Sequence, residues 1–316
     1  MKLSSAIALF ATFALAAAHT PASREPQHPA RKPASATPPV ACAAGAKLFL
    51  SAPTAAQGGL LLGGLVASAA LRDVQATWQG EKISIWQAAG TAPGASLRWH
   101  ALLPVDLERA PGPASLTVSA EESTGEKITC QMSVAVTAGK FATENLKVAP
   151  QFVEPDPEQL ARAKNEAQRL REMYATVTPE KLWKGKFRVP LDGARNGANF
   201  GRRRVLNGEP SSPHTGVDFP APTGTPVHAA QAGRVVLAEP LYFAGNTVLI
   251  DHGLGVYTLY GHLSQIAVKV GDSLAAGAVL GRVGATGRVT GPHLHWGLTI
   301  NRAHVNALEI VRLGAI

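Results

Sequence analysis

The sequence predicts a mainly β protein: an N-terminal β-sandwich of immunoglobulin type, a helical connector, and a C-terminal antiparallel β domain. Three observations predict it. Between residues 45 and 148, short apolar or alternating runs recur, most of them separated by Gly, Pro or polar clusters. A segment after Asp156 then carries apolar residues at three- and four-residue intervals. Past Lys186 the chain turns to short alternating runs among many glycines.

Residues 1–18 read as a signal peptide: Lys2, an apolar run from Leu3 to Leu15, then Ala16-Ala17-Ala18 as a small-residue cleavage site. The run is too short to span a bilayer, so the expectation is an exported protein of the periplasm or cell envelope without a stable membrane anchor. Residues 19–41, rich in Pro and Ala, cannot bury a core and are read as an extended linker. A lipid anchor on Cys42 is disfavoured, because a lipobox follows the apolar run directly and here a long polar segment intervenes. Cys42 and Cys130 are the two cysteines of the chain, and an oxidising compartment makes one disulfide between them the expectation.

Residues 42–148 form the expected sandwich. Its seven predicted strands are 47–50, 63–67, 74–78, 82–86, 97–102, 114–119 and 127–134. Trp78, Trp86 and Trp99 fall on these strands, where core is the commoner fate than a glycan platform. Residues 149–186 are read as the connector. Asp156 is placed to cap a helix, Pro157 suits its first position and Gln159 stands at the capping-box site. Leu160, Ala163, Ala167, Leu170 and Tyr174 then mark one apolar face. Residues 187–316 form the last domain, with runs at 187–190, 225–230, 233–238, 246–251, 255–260, 279–283 and 293–300.

The formal charge of +8 would concentrate an exported protein near anionic wall polymers. No nucleic-acid motif accompanies it, and export argues against such a partner. Nothing in the sequence speaks to oligomeric state.

Seven of the ten histidines lie in the last domain. Pro-His214-Thr-Gly-Val-Asp218 places a histidine and a carboxylate four apart, Gly-Pro-His293-Leu-His295-Trp places two histidines two apart, and Tyr260-Gly-His262-Leu lies between. Neutral imidazoles with one carboxylate suit zinc, and three such ligands with a fourth position left for water are the pattern of a catalytic site. On an extended segment, residues 293 and 295 face the same way at roughly 7 Å. His214 and Asp218 would lie about 13 Å apart on a straight strand, so a bend or bulge at Gly216 is expected. The spacing does not say which of His293 and His295 is the ligand. His228, His252 and His304 are read as structural.

With their flanks, among them Ala221-Pro-Thr-Gly-Thr-Pro-Val227 and Gly245-Asn-Thr-Val-Leu-Ile-Asp-His-Gly253, these motifs resemble the M23 peptidases, the lysostaphin-like zinc endopeptidases that cut peptidoglycan cross-bridges. The resemblance covers roughly residues 196–305. It implies that His214, Asp218 and His295 hold Zn2+ while His262 and His293 stand beside the bound water. It also implies a wall peptidase acting on stem-peptide cross-links, glycine bridges and D-alanyl to diaminopimelate bonds both being cut within the family; the second is the expectation, since no appended module like those that recognise glycine bridges is seen. The alternative is a non-catalytic wall-binding module or activator of other wall hydrolases. Chains of that kind usually lack one or more of the five positions, and all five are present here. Asn207, in Phe200-Gly-Arg-Arg-Arg-Val-Leu-Asn207-Gly208, is either a residue of the groove or a temporary zinc ligand, or else a turn residue. The N-terminal domain supplies none of the five residues, so a positioning or restraining role is expected of it.

Overall fold

The computed structural model describes residues 37–42, 45–88, 96–147, 156–194 and 197–316. The predicted signal peptide and most of the linker therefore lie outside the described residues. Among the described residues, no helix is long and apolar enough to cross a membrane.

The N-terminal part packs two five-stranded sheets face to face. Its strands are β1 (Val40–Ala41), β2 (Lys47–Leu50), β3 (Thr54–Ala56), β4 (Leu60–Ala67), β5 (Leu71–Trp78), β6 (Glu81–Ile83), β7 (Ile85–Gln87), β8 (Leu97–Pro104), β9 (Gly112–Glu122) and β10 (Lys127–Thr137). One sheet runs β1-β2-β4-β8-β7 and the other β3-β10-β9-β5-β6. β10 shows why these segments are strands: Ile128, Cys130, Met132, Val134 and Val136 are buried while the residues between them are exposed. Cys42 and Cys130 are joined with Cα atoms 5.7 Å apart, tying the chain near the first strand to β10.

Among the described residues ten strands stand where seven were expected. The run at 82–86 is two strands in opposite sheets, with the chain crossing between them at Ser84. β1 and β3 are too short to show a period. Trp78 and Trp99 are buried in the sandwich core. Trp86 instead points away from it and meets Trp183 edge-on, ring centroids 5.5 Å apart. Leu60, Leu62 and Leu102 share that outer face, whereas Leu61, Leu65 and Leu103 line the sandwich interior. β4 therefore reads as an unbroken apolar run because both of its faces are covered.

β11 (Thr143–Leu146) leaves the sandwich altogether and pairs in parallel with β12 (Arg203–Leu206), which forms a hairpin with β13 (Glu209–Pro210). The segment expected to close the first domain is thus built into the second. Between them, α1 (Pro157–Ala175) begins as predicted: the Asp156 side chain accepts from the backbone N–H of Gln159 at 2.8 Å, with Pro157 at the first position. Its packing face differs from expectation. Ala163 and Tyr174 are buried, but Leu160 and Ala167 are exposed. The helix packs Tyr174, with Leu170 and Met173, against Leu237, Leu241, Leu249 and Tyr257, and adds polar contacts with the strand it crosses: Arg169 pairs with Glu239 at 2.7 Å, and Arg162 donates to the Pro240 carbonyl at 3.0 Å.

The last nine-stranded sheet comprises β14 (Gly216–Pro220), β15 (Pro226–His228), β16 (Gly233–Leu241), β17 (Gly245–Asp251), β18 (Val256–Ile266), β19 (Ser273–Leu274), β20 (Val279–Val283), β21 (His293–Ile300) and β22 (Ala303–Val305). α2 (Ala307–Leu313) follows. Pairing is antiparallel throughout, in the order β14-β21-β18-β17-β16-β19, with β20 joining β15 to β18. Phe219, Tyr260, Leu294 and Trp296 form its core together with Leu60 and Leu102 of the sandwich.

Candidate metal centre

Register brings the candidate ligands together. β14 and β21 pair so that Asp218 lies directly opposite His295, and Pro220 opposite His293. His214 precedes β14 and is fixed by the turn at residues 201–202. Gly201 N–H donates to its carbonyl at 2.8 Å, and its own N–H donates to the Arg202 carbonyl at 3.0 Å. The expected bend at Gly216 is not there, since Gly216 is the first residue of an extended strand and is absent from the glycines with positive φ. Its use is space: a Cβ at this position would fall 2.5 Å from the His295 ring.

His214 Nε2 lies 2.8 Å from His295 Nδ1, and each lies 3.1 Å from Asp218 Oδ1. The His214 Nδ1–H donates to the Asn199 carbonyl at 3.0 Å, so its Nε2 presents a lone pair. Two imidazole nitrogens and a carboxylate oxygen thus converge on one point, the His214 lone pair among them. That arrangement calls for a cation. Tetrahedral bonds of about 2.0–2.1 Å would separate ligand atoms by about 3.3 Å, close to the spacing found. The donor set fits a divalent metal of the zinc kind, and among the described residues it is the group of His, Cys, Asp and Glu able to hold one.

Beside it stand His262 and His293, ring centroids 4.8 Å apart. His262 Nδ1 donates to the Thr286 carbonyl and His293 Nδ1 to that of Gly291, both at 2.8 Å, which leaves each Nε2 unengaged by these bonds. Strand alternation alone would send His262 to the wrong face. Tyr260, two residues earlier, is buried opposite Trp296. A register shift in the β17–β18 pairing and a left-handed backbone, φ 61°, turn the ring towards His295, at 5.8 Å between centroids. A non-glycine residue in that conformation is costly and clusters at functional sites.

A sequence model of Peptidase family M23 matches residues 212–307. A crystal structure assigned to the same family, from Pseudomonas aeruginosa, is 30% identical and superposes with a TM-score of 0.59, covering 83% of this chain and 95% of that one. The chain belongs to peptidase family M23. Curated relatives match part of the M23 chain. Peptidoglycan DD-endopeptidase ShyA of Vibrio cholerae is 44% identical over 138 residues, which is 43% of this chain and 32% of that protein. DD-carboxypeptidase/endopeptidase Mpg of Neisseria meningitidis is 41% identical over 128 residues, 40% of this chain and 30% of that protein. The match spans about a third of the length of either relative.

Two residues of this M23 site were not singled out from the sequence. Asn199 Nδ2 donates to Asp218 Oδ2 at 3.2 Å, and Arg204 Nη2 lies 3.7 Å from the same oxygen. Together they occupy Oδ2 and leave Oδ1 to the two histidines. Asn199 arrives there because Ala198 and Asp218 exchange backbone hydrogen bonds at 2.9 and 3.1 Å. Arg204 arrives on β12. Asn207 is exposed and sits with Gly208 in the two-residue turn joining β12 and β13. Both turn residues have positive φ, 50° and 96°, the backbone that an Asn-Gly hairpin supplies at least cost.

Burial sets the electrostatics of the M23 site. It pushes His214 down to about 4 and His262 down to about 3, with the neighbouring histidines adding to the depression of His262. For Asp218, burial alone would raise the pKa, but hydrogen bonds to His214 and His295 outweigh it and hold the carboxyl well below its usual range. His214 and Asp218 are therefore in the ligand-competent form at neutral pH, and His262 is neutral there.

His228, His252 and His304 lie apart from this cluster. His228 Nδ1 donates to the Gly277 carbonyl at 2.9 Å, and His304 stacks edge-on with Tyr174. His252 is fully buried between the Ala232 carbonyl and Thr258 Oγ1, each at 2.7 Å.

Proposed function

We propose that this chain is a zinc-dependent endopeptidase that hydrolyses peptide cross-links of bacterial peptidoglycan, with D-alanyl to diaminopimelate bonds as its targets. The observation that carries the reading is the convergence of His214 Nε2, Asp218 Oδ1 and His295 Nδ1 within 3.1 Å of one another, beside two further histidines. The names of the Vibrio and Neisseria relatives support the wall peptide as substrate. Export to the cell envelope belongs to the same reading, since that is where the substrate lies.

His214, Asp218 and His295 would hold the metal. Zinc, when bound, supplies Lewis acidity that makes a water nucleophilic near neutral pH and polarises a peptide carbonyl. The chain's own residues do the rest. His262 and His293 each commit Nδ1–H to a backbone carbonyl, so each offers an Nε2 lone pair to the proton of the attacking water. Once protonated, an imidazole can support the oxyanion or deliver the proton to the leaving amine. Neither task needs the Glu of His-Glu-x-x-His peptidases, a motif this sequence lacks.

The test is metal analysis of protein purified without chelator, paired with digestion of purified sacculi of several chemistries and mass spectrometry of the fragments. One zinc per chain and fragments opened at the D-alanyl to diaminopimelate bond are expected. Folded protein without stoichiometric metal, or sacculi left intact by zinc-loaded protein, would overturn the reading.

A further inference from the structure

The loop at 284–292 between β20 and β21 carries more than the two carbonyls that orient the histidines. Between Thr286, which holds His262, and Gly291, which holds His293, stands Arg288. Its guanidinium centre lies 4.3 Å over the Phe243 ring, and its backbone N–H donates to the Phe243 carbonyl at 2.9 Å. Stacking uses the face of the guanidinium and leaves its edge, where the N–H donors lie, for a planar acceptor. Among the described residues the Arg288 side chain makes no ion pair and no hydrogen bond. Arg204, the second cation, is near enough for its charge to add to the burial that lowers the pKa of Arg288. Among the described residues its one ion pair is the 3.7 Å contact with Asp218, whose other oxygen faces the ligand histidines. Glu144, the other carboxylate in Arg204's field, is bound by Arg202 at 3.1 Å.

Two half-buried guanidinium groups beside a peptidase centre, with little protein charge to neutralise them, call for an anion from the substrate. We propose that Arg288 and Arg204 bind a free carboxylate of the peptide close to the bond that is cleaved, and so make the enzyme selective for carboxylate-bearing rather than amidated wall peptides. The inference rests on the peptidase reading above and names the substrate chemistry that the site accepts. The carboxylate can be a branch group on the residue beside the bond or the terminus of the chain. Both offer the same two oxygens to a guanidinium fork.

The experiment uses the full chain and three synthetic cross-linked peptides: the free acid, one amidated at the branch carboxylate, and one amidated at the terminus. Amidation of the recognised group should lower kcat/KM about ten- to a hundred-fold, chiefly through KM, the range expected for loss of a charge-assisted hydrogen bond in a desolvated site. Arg288→Gln should lose a similar factor on the free acid, become indifferent to amidation and keep its metal; Arg288→Lys should recover part of the discrimination. The arm that responds identifies which carboxylate is read. Equal kcat/KM for all three peptides, or an Arg288→Gln variant that still discriminates, would overturn the proposal. Calorimetric binding of the same peptides to His262→Ala separates it from the peptidase reading. Tighter binding of the free acid without any cleavage by the unaltered enzyme would uphold carboxylate recognition while the peptidase reading fell, and equal binding of all three would refute the recognition.

Discussion

Glu166 on α1 accepts a hydrogen bond from the backbone N–H of Tyr242 at 2.7 Å, and Gln159 Oε1, about two turns earlier on the same face, accepts from the Tyr242 hydroxyl at 2.8 Å. The helix thereby grips the turn between β16 and β17. That turn also supplies Phe243, under Arg288, and Ala244, whose carbonyl accepts from the His262 N–H at 2.7 Å. The connector is therefore wired to the site through three consecutive residues.

Breaking the grip should loosen the site without emptying it. Glu166→Ala removes the acceptor for Tyr242 N–H and the partner of Arg162, a loss of about 1 kcal/mol in stability. Metal content should be unchanged, because His214, Asp218 and His295 touch neither residue. Release of fragments from sacculi should fall several-fold. Unchanged turnover in a variant with a lowered Tm would show that the helix only stabilises the fold.

Ligands and proton carriers should separate on substitution. His214→Ala, Asp218→Ala and His295→Ala each remove one of the three converging atoms, so metal binding and turnover should be lost together. His262→Ala and His293→Ala leave those atoms in place and should keep metal while the rate falls roughly 10²- to 10⁴-fold. Metal content and hydrolysis measured on the same samples decide it. Metal lost from His293→Ala and kept by His295→Ala would reverse the assignment within the pair.

Acid should destabilise the fold through His252, far from any metal ligand. Full burial depresses its pKa to about 4, from 6.5 for the exposed group. Between those values the unfolded chain binds a proton that the folded one refuses, so stability rises with pH across the window. Its contribution is present above about pH 6.5 and lost as pH falls towards 4, on the order of 3 kcal/mol in all. Tm measured between pH 7 and 4 should fall, and the slope should flatten in His252→Gln. An unaltered slope in a folded variant would assign the acid sensitivity elsewhere.

Reduction should act on the N-terminal sandwich and not on chemistry. The Cys42–Cys130 bond closes a loop between residues 88 apart in sequence, and such cross-links contribute about 2–4 kcal/mol by restricting the unfolded chain. Dithiothreitol should lower Tm while metal content and the initial rate on sacculi stay the same. A rate that falls with the disulfide at a temperature where the protein remains folded would tie the sandwich directly to turnover.

The sequence by itself determined the features that depend on local order. Alternation marked β10 because its side chains face water and core in turn. The Asp156-Pro157 pair marked the start of α1 because an N-cap acts within three residues. His293 and His295 were bound to share a face by the period of an extended strand, and the five-residue pattern of histidines and aspartate was legible through its resemblance to the M23 peptidases. Tertiary structure decided what the pattern leaves open. The pairing of β14 with β21 sets Asp218 against His295. A bulge turns His262 away from the core face that alternation would assign it. The backbone exchange between Ala198 and Asp218 brings Asn199 to the carboxylate, and β11, from the far side of the connector, holds the strand that delivers Arg204. The physical reason is common to all four. Register between strands distant in sequence is set by which faces are buried and where the chain kinks, and neither is encoded within a few residues of the side chains that are brought together.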